Sequence, residues 1–552
     1  CSPDYETEFK VETLVVPDKS QAPITFPLLG GEHEIEVLTA TTAFDAEMMI
    51  VADPMIQAIL LDWDLAEDNT HQAAKDVLNK LRSRAENVPV FLFADRADVA
   101  DIPLEVLKET SDFIWLYEDT ANFIAGRIEA AIDTYLKNLL PPMFKALAKF
   151  SQVHEYSWHT PGHTGGTAFM KAPAGRAYFD FFGENLFRSD LSISVGELGS
   201  LLDHSGPIGA SEKYAAKVFG AHRTYHVTNG SSTSNRVIFM ACVTHNQVAL
   251  CDRNCHKSIE QAMTMSGAIP NYMMPLRNFY GIIGPIPPQA LQAEAIKKTI
   301  SENSLITKDI DSTPVHAIVT NSTYDGLCYN ARRVEELLGQ SVDRMHFDEA
   351  WYGYARFNPI YKDRFAMYGN PADHKPTDMT VFATQSTHKL LAALSQASFI
   401  HIREGKKNVD HSRFNESFMM QASTSPNYPI IASNDITAAM MDGKGGKALT
   451  DESIHEAVAF RQLMAKLNAD FADQGEWFFN CWQPDFVKDA EGKKIAFRLA
   501  NPEYLATEPE CWVLHPNDAW HGFGDIEDGY CMLDPIKVSI TTCLLYTSPS
   551  PR

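Results

Sequence analysis

The sequence predicts an α/β protein of several domains, and three observations carry that prediction. Short apolar, β-rich runs alternate with stretches of helical spacing along much of the chain. Several of those runs lead through polar or glycine-bearing turns into a helix, as alternating α/β units do. Chemistry-bearing residues, above all Lys389, fall just past predicted strand ends.

With 552 residues the chain is long enough for several domains and a large core. Charged residues make up 21% and hydrophobic residues 45%, the balance of a globular protein. The net charge of −24 argues against nucleic acid as a partner, because a nucleic-acid binder carries a basic face. It is compatible with cationic substrates. There is no long apolar span and no signal peptide, so no membrane partner and a cytoplasmic location are expected. The nine cysteines are scattered. Cys251 and Cys255 are the one close pair, no second pair completes a zinc site, and no metal is expected. Cys1 in place of a start methionine indicates a cut N-terminus. The tail 543–552 follows Lys537-Val538-Ser539-Ile540 abruptly and reads as non-native sequence.

In chain order, Ala58–Asp62, Val88–Asp95 and Phe113–Leu116 read as buried strands. Between them Thr70–Arg84 has helical spacing, with Ala74, Val77, Leu78 and Leu81 on one face. This is a small doubly wound domain resembling a response-regulator receiver. Asp62 and Asp64 at a strand end fit a phospho-acceptor or metal site, or simply the acidic residues common there. No complete receiver set is present, so a structural or assembly role is expected. Ala121–Leu140 is a helical connector stopped by Pro141-Pro142, and Met143–Phe150 is a second helix. Ser157–Gly166, with two histidines, a proline and three glycines, is a shaped loop expected near the active site. The Pro-Gly between His159 and His163 opposes a same-face metal pair.

Ser211–Phe219 reads as a helix closed by Gly220, followed by a strand over Thr224–Val227. Asn229–Asn235, bearing Gly230, Ser231 and Ser232, then turns into a helix through Val237, Ile238 and Met240. Strand, Gly-Ser-Ser turn and helix form an anion-binding arrangement, although serine is also a good helix cap. No P-loop lysine accompanies it. The next strand, Gln247–Cys251, leads to His256, a candidate to cover one face of a ring cofactor or, equally, a capping or core histidine. Ala317–Thr320 is a strand, Arg332–Leu338 a helix, and Arg344–Trp351 puts Asp348 and Glu349 at a strand end.

Thr380–Ala383 is a strand running into Thr384-Gln385-Ser386-Thr387-His388-Lys389, and Ser398–Ile402 is another strand. A lysine there forms a Schiff base with an aldehyde, while hydroxyls and an imidazole hold a phosphate. Pyridoxal 5'-phosphate needs both. A surface lysine beside loop hydroxyls has the same local sequence. Asp348, a carboxylate placed to pair with a pyridine N–H about forty residues earlier, tips the reading to the cofactor.

His256, Asp348-Glu349-Ala350-Trp351 and Ser386-Thr387-His388-Lys389 together resemble the bacterial inducible ornithine, lysine and arginine decarboxylases. The likeness runs from about residue 35 to Thr542. His346–Tyr361, Glu476–Phe479 and Cys511–Pro516 resemble the acid-induced arginine branch most. His159–His163 and Thr384-Gln385-Ser386 are shared with the lysine branch.

The resemblance implies a receiver-like wing domain over 1–135, a linker region over 136–194 and a major domain over 195–439 of the aspartate aminotransferase-like, pyridoxal phosphate-dependent transferase fold. Part of a C-terminal α+β domain follows over 440–542. It implies decarboxylation of a basic amino acid, arginine first, then lysine, then ornithine. Competing readings are an aminotransferase or aldolase on the same fold, or a non-catalytic assembly or decoy subunit. By resemblance Lys389 is the Schiff-base lysine, Asp348 the pyridinium partner and His256 the stacking ring. Ser231, Ser232, Ser386 and His388 are phosphate or cofactor contacts, and Trp351 shapes the cofactor site. Thr424-Ser425-Pro426 approaches a neighbouring subunit's cofactor. A homodimer unit assembled into a decamer is implied for the full-length protein. The family continues for another domain's length beyond Thr542, a segment that helps form the substrate entrance.

Overall fold

The computed structural model describes residues 11–16, 35–65, 70–84, 87–93, 102–115, 119–152, 160–191, 196–471 and 479–542. The expectations for Cys1, Ala94-Asp95, Leu116, Ser157–His159, Glu476–Phe478 and the tail 543–552 lie outside the described residues. The chain divides into two compact units, one of Cys1–Leu140 with Gly443–Ala448, the other of Pro141–Asp442 with Leu449–Arg552.

In the first unit β1 (Val11–Val16), β2 (Ile35–Thr39), β3 (Ile56–Asp62), β4 (Val90–Phe93) and β5 (Asp112–Ile114) form a parallel sheet in the order β2-β1-β3-β4-β5. That is the strand order of flavodoxin-like doubly wound sheets, as the receiver likeness requires. Every residue of β3 is buried because both faces are covered. Ile59, Leu61, Val90 and Leu92 pack with Ala74, Val77, Leu78 and Leu81 of the helix Gln72–Arg84. Their neighbours Ala58, Leu60, Phe91 and Phe93 turn to the other face and meet Ile124, Ile128 and Ile132 of the helix Ala121–Leu139. At the end of β3, Asp62 accepts from the Asp64 backbone N–H, and Asp64 pairs with His71.

The second unit is built on a seven-stranded sheet. Its strands are β6 (Arg223–Val227), β7 (Val248–Asp252), β8 (Ile269–Met273), β9 (Pro314–Thr320), β11 (Arg344–Asp348), β12 (Thr380–Gln385) and β13 (Ser398–Arg403). A short strand, β10 (Leu327–Tyr329), leaves this sheet to pair with Cys531–Leu533. The order is β6-β13-β12-β11-β9-β7-β8, and β13 runs against both neighbours. The other six strands therefore end at one edge. Alternation splits the core in two: Leu250, Val319, Phe347 and Ala383 face one cluster, Cys251, Ile318 and Phe382 the other.

The structure moves two predicted helix starts. The helix expected from Ser211 begins at Gly206, because Pro207 in its first turn fixes a helical φ and leaves no N–H to satisfy. Its end at Gly220, in the left-handed region with φ 69°, is as expected. The turn expected over Asn229–Asn235 is already helix from Ser231, since Gly230 makes the turn alone at φ 78°. Asn235 is thus carried into a buried helical position.

Candidate active site

The predicted residues come from the carboxyl edge of the large sheet, where open α/β sheets place ligand sites. Past β12, Ser386 stands just before a short helix, Thr387–Leu390, that carries His388 and Lys389. Past β11, Asp348 leads to Trp351, and the two strands pair in parallel with Asp348 opposite Thr384. Past β7 the chain turns through Asn254 and Cys255 to His256, which caps the helix Lys257–Ser266. Past β6, Gly230 opens the helix Ser231–Cys242.

Lys389 is half-buried, with its Nζ 4.5 Å from the centroid of the Trp351 ring. Burial pulls its pKa below the usual lysine value; the Asp348 charge opposes this and the Lys537 charge adds to it. The amine is therefore more readily available in its neutral, nucleophilic form. Asp348 is buried. Its Oδ2 accepts from Asn235 Nδ2 at 2.9 Å and its Oδ1 from the Ala350 N–H at 3.2 Å. Burial pushes its pKa up, and the hydrogen bonds from Asn235 and Ala350 pull it back down.

The neighbouring Glu349 is separated from this role. Its carboxyl group accepts from the Ala366 N–H at 2.7 Å, Gln385 Nε2 at 3.1 Å and Asn321 Nδ2 at 3.3 Å, tying the ends of β9 and β12 together. Burial raises its pKa to about 8. Of the acidic pair read at this strand end, Asp348 is the one coupled to Lys389 and Glu349 braces the strands.

His256 Nδ1 lies 2.8 Å from Ser258 Oγ and accepts from the Ser258 N–H at 3.2 Å, so the capping reading of this histidine is realised in its hydrogen bonds. Ser231 is buried and Ser232 half-buried in the first turn of their helix, where the leading N–H groups have no intrahelical partner. His388 Nδ1 donates to the Ala397 carbonyl at 2.7 Å. Thr387 is turned away, its hydroxyl donating to Asn434 Oδ1 at 2.5 Å.

Two residues at the site escaped the sequence reading. Asn235 connects Asp348 to Ser258 through hydrogen bonds of 2.9 Å to each. Lys537 is half-buried, donates to Ser322 Oγ at 2.6 Å, and lies with its Nζ 5.6 Å from the Tyr352 ring centroid. His163, expected in the shaped loop, is 3.1 Å from Asp190. Among the described residues no group of three or more His, Cys, Asp or Glu is placed to hold a metal. None of the described helices is long and apolar enough to cross a membrane.

The residues fit pyridoxal phosphate. Ser386 Oγ and the Trp351 indole Nε1 are buried without a hydrogen-bond partner in the site that holds Lys389 and Asp348. Buried polar atoms ordinarily have partners, and a ligand with phosphate and phenolic oxygens supplies them. A half-buried lysine of lowered pKa, a buried carboxylate and an anion-ready helix start on a largely parallel sheet define a pyridoxal phosphate enzyme of the α/β class.

Comparison with known proteins agrees. The family model described as Orn/Lys/Arg decarboxylase, major domain, matches residues 141–546, and the N-terminal domain of the same family matches residues 31–135. The biodegradative arginine decarboxylase of Escherichia coli K12 is 52% identical over 512 residues, spanning 92% of this chain and 68% of that protein. Lysine decarboxylase LdcA of Pseudomonas aeruginosa is 43% identical over 93% of this chain and 67% of its own length. The solved structure of lysine decarboxylase A from Pseudomonas aeruginosa superposes with a TM-score of 0.86 at 40% identity, covering 97% of this chain and 71% of that one. The chain belongs to the Orn/Lys/Arg decarboxylase family, and is by class a pyridoxal phosphate-dependent carboxy-lyase.

Proposed function

We propose that the chain removes the α-carboxylate of L-arginine as CO2, yielding agmatine, with Lys389 and Asp348 as its principal catalytic groups. The observation that carries the reading is the pairing of a half-buried lysine, its Nζ over the Trp351 ring, with a buried carboxylate at adjacent, parallel strand ends. Pyridoxal phosphate, when bound, supplies an aldehyde carbon to hold the substrate amine and a ring that accepts the electrons of the breaking C–C bond. Lys389, its pKa lowered by burial, would be the residue that holds the cofactor aldehyde. Asp348, shielded from water, would pair with the ring nitrogen and favour a proton there. His256 would cover the ring, Trp351 would offer its free N–H, and Ser231, Ser232, Ser386 and His388 would hold the phosphate. Because a C–H bond replaces the C–CO2 bond, each turnover takes up one proton. A role in acid stress follows from that balance.

The arginine reading rests on the segment His346–Tyr361 and on the 52% identity to the arginine decarboxylase. Lysine is the second reading, favoured by identities of 43% and 40% to lysine decarboxylases. We place the protein in the cytoplasm, with free cysteines in keeping with a reducing compartment. We further propose a homodimer unit that assembles into a decamer in the full-length protein. Phe181, 80% exposed, with Tyr178 and Phe182 beside it, supplies an apolar surface suited to such contacts. Arginine, lysine and ornithine supplied together with pyridoxal phosphate at mildly acid pH test the substrate, with the amines read by mass spectrometry. Agmatine in clear excess is expected. Cadaverine in excess transfers the chain to the lysine branch.

A further inference from the structure

Asp348 and His256 are joined by a continuous hydrogen-bonded path whose direction is set by its chemistry. Asn235 lies in the helix Ser231–Cys242 and is 1% exposed. Its Nδ2 donates at 2.9 Å to Asp348 Oδ2 and at 2.9 Å to Ser258 Oγ. An amide nitrogen has two protons and no accepting lone pair, so both are committed. The opposite amide orientation would turn Oδ1 toward the Asp348 carboxylate, two acceptors facing each other. Ser258 Oγ, accepting from Asn235, has its own proton for His256 Nδ1, 2.8 Å away. The Ser258 backbone N–H points at the same nitrogen at 3.2 Å. Nδ1 is thus an acceptor twice over, and the proton of the neutral ring sits on Nε2.

We propose that Asn235 is a positioning residue: through Ser258 it fixes the Asp348 carboxylate and the His256 ring in one donor–acceptor register. This rests on the roles proposed above for Asp348 and His256. The amide can only donate to Asp348, so it favours the carboxylate over the acid, which has a proton of its own to place. It is also the first of the hydrogen bonds offsetting the burial of Asp348. Through Ser258 the same side chain selects the His256 tautomer and fixes its ring angle. Two groups on different strand ends are thereby set by one residue of the helix that also presents Ser231 and Ser232.

The test uses the full chain carrying Asn235→Ala, Asn235→Asp, Ser258→Ala and the Asn235→Ala/Ser258→Ala pair. Apoprotein is titrated with pyridoxal phosphate, and kcat and KM are followed against pH. Asn235→Ala is expected to weaken cofactor binding about tenfold and to lower kcat on the order of 10- to 100-fold, the usual scale for a residue orienting a site group. Ser258→Ala should act in the same direction, and the pair should lose little more than Asn235→Ala alone, as one path requires. Asn235→Asp keeps the size and carries the test if the alanine variant fails to fold. Its added carboxyl group opposes Asp348, so its activity should recover on acidification, as one proton comes to be shared between them. A purely structural asparagine would leave the shape of the pH profile unchanged.

Wild-type cofactor affinity and pH profile in Asn235→Asp, or full additivity of the pair, would overturn the proposal. Lys389→Ala and Asp348→Asn are measured alongside. If these lose turnover while the Asn235 variants do not, the proposal alone fails. If these retain turnover, the reading of the site fails with it.

Discussion

Lys389→Ala is expected to abolish the borohydride-trapped covalent link between protein and pyridoxal phosphate and to lower turnover by roughly 10⁴-fold or more, the scale on which removal of a covalent catalyst acts. The lysine Nζ lies over the Trp351 ring on a short helix between β12 and β13. Removing the side chain takes away no buried core contact, so the thermal unfolding of the apoprotein should change little. A trapped link that survives the substitution, located by peptide mass spectrometry, would move the covalent role to another lysine.

Asp348→Asn should separate binding from chemistry. The asparagine keeps the shape of the site and can still meet Asn235, but it has no charge with which to keep a proton on a ring nitrogen. The covalent link through Lys389 should persist, while kcat falls on the order of 10²- to 10³-fold, the loss typical of one preorganised electrostatic contact. Turnover at the wild-type level would refute the electron-sink role. The two substitutions give opposite patterns in trapping and both lower turnover, the lysine change more, so together they distinguish the holder of the cofactor from the residue that tunes it.

The ends of strands were the most legible part of this protein. β6, β7, β11 and β12 are fully or largely buried and β-rich, each leading into a polar or glycine-bearing turn, so Gly230, His256, Asp348 and Lys389 could be placed by inspection. The wing unit was legible for the same reason: both faces of β3 are covered, and its run of apolar residues is unbroken but for Gln57 before Asp62. Asn235 was not legible because its partners, Ser258 and Asp348, come from distant segments, and a single asparagine after a serine-rich turn reads as a cap or loop residue. Lys537 was hidden for a related reason. It follows Asp534-Pro535-Ile536, a turn-like sequence with no motif, and reaches the site by a return of the chain that pairs Cys531–Leu533 with β10. Glu349 and Asp348 are adjacent in sequence, and only the hydrogen bonds to Ala366, Gln385 and Asn321 show which one braces the strands.

The most direct test of the central claim is the fate of the substrate carboxyl carbon. Arginine carrying carbon-13 in its carboxyl group is supplied to the chain with pyridoxal phosphate, and labelled CO2 and agmatine are measured together. The account predicts labelled CO2 and agmatine in equal amounts, with one proton taken up for each. A keto acid that retains the label, with no CO2 released, would contradict it and place the chemistry with aminotransferases.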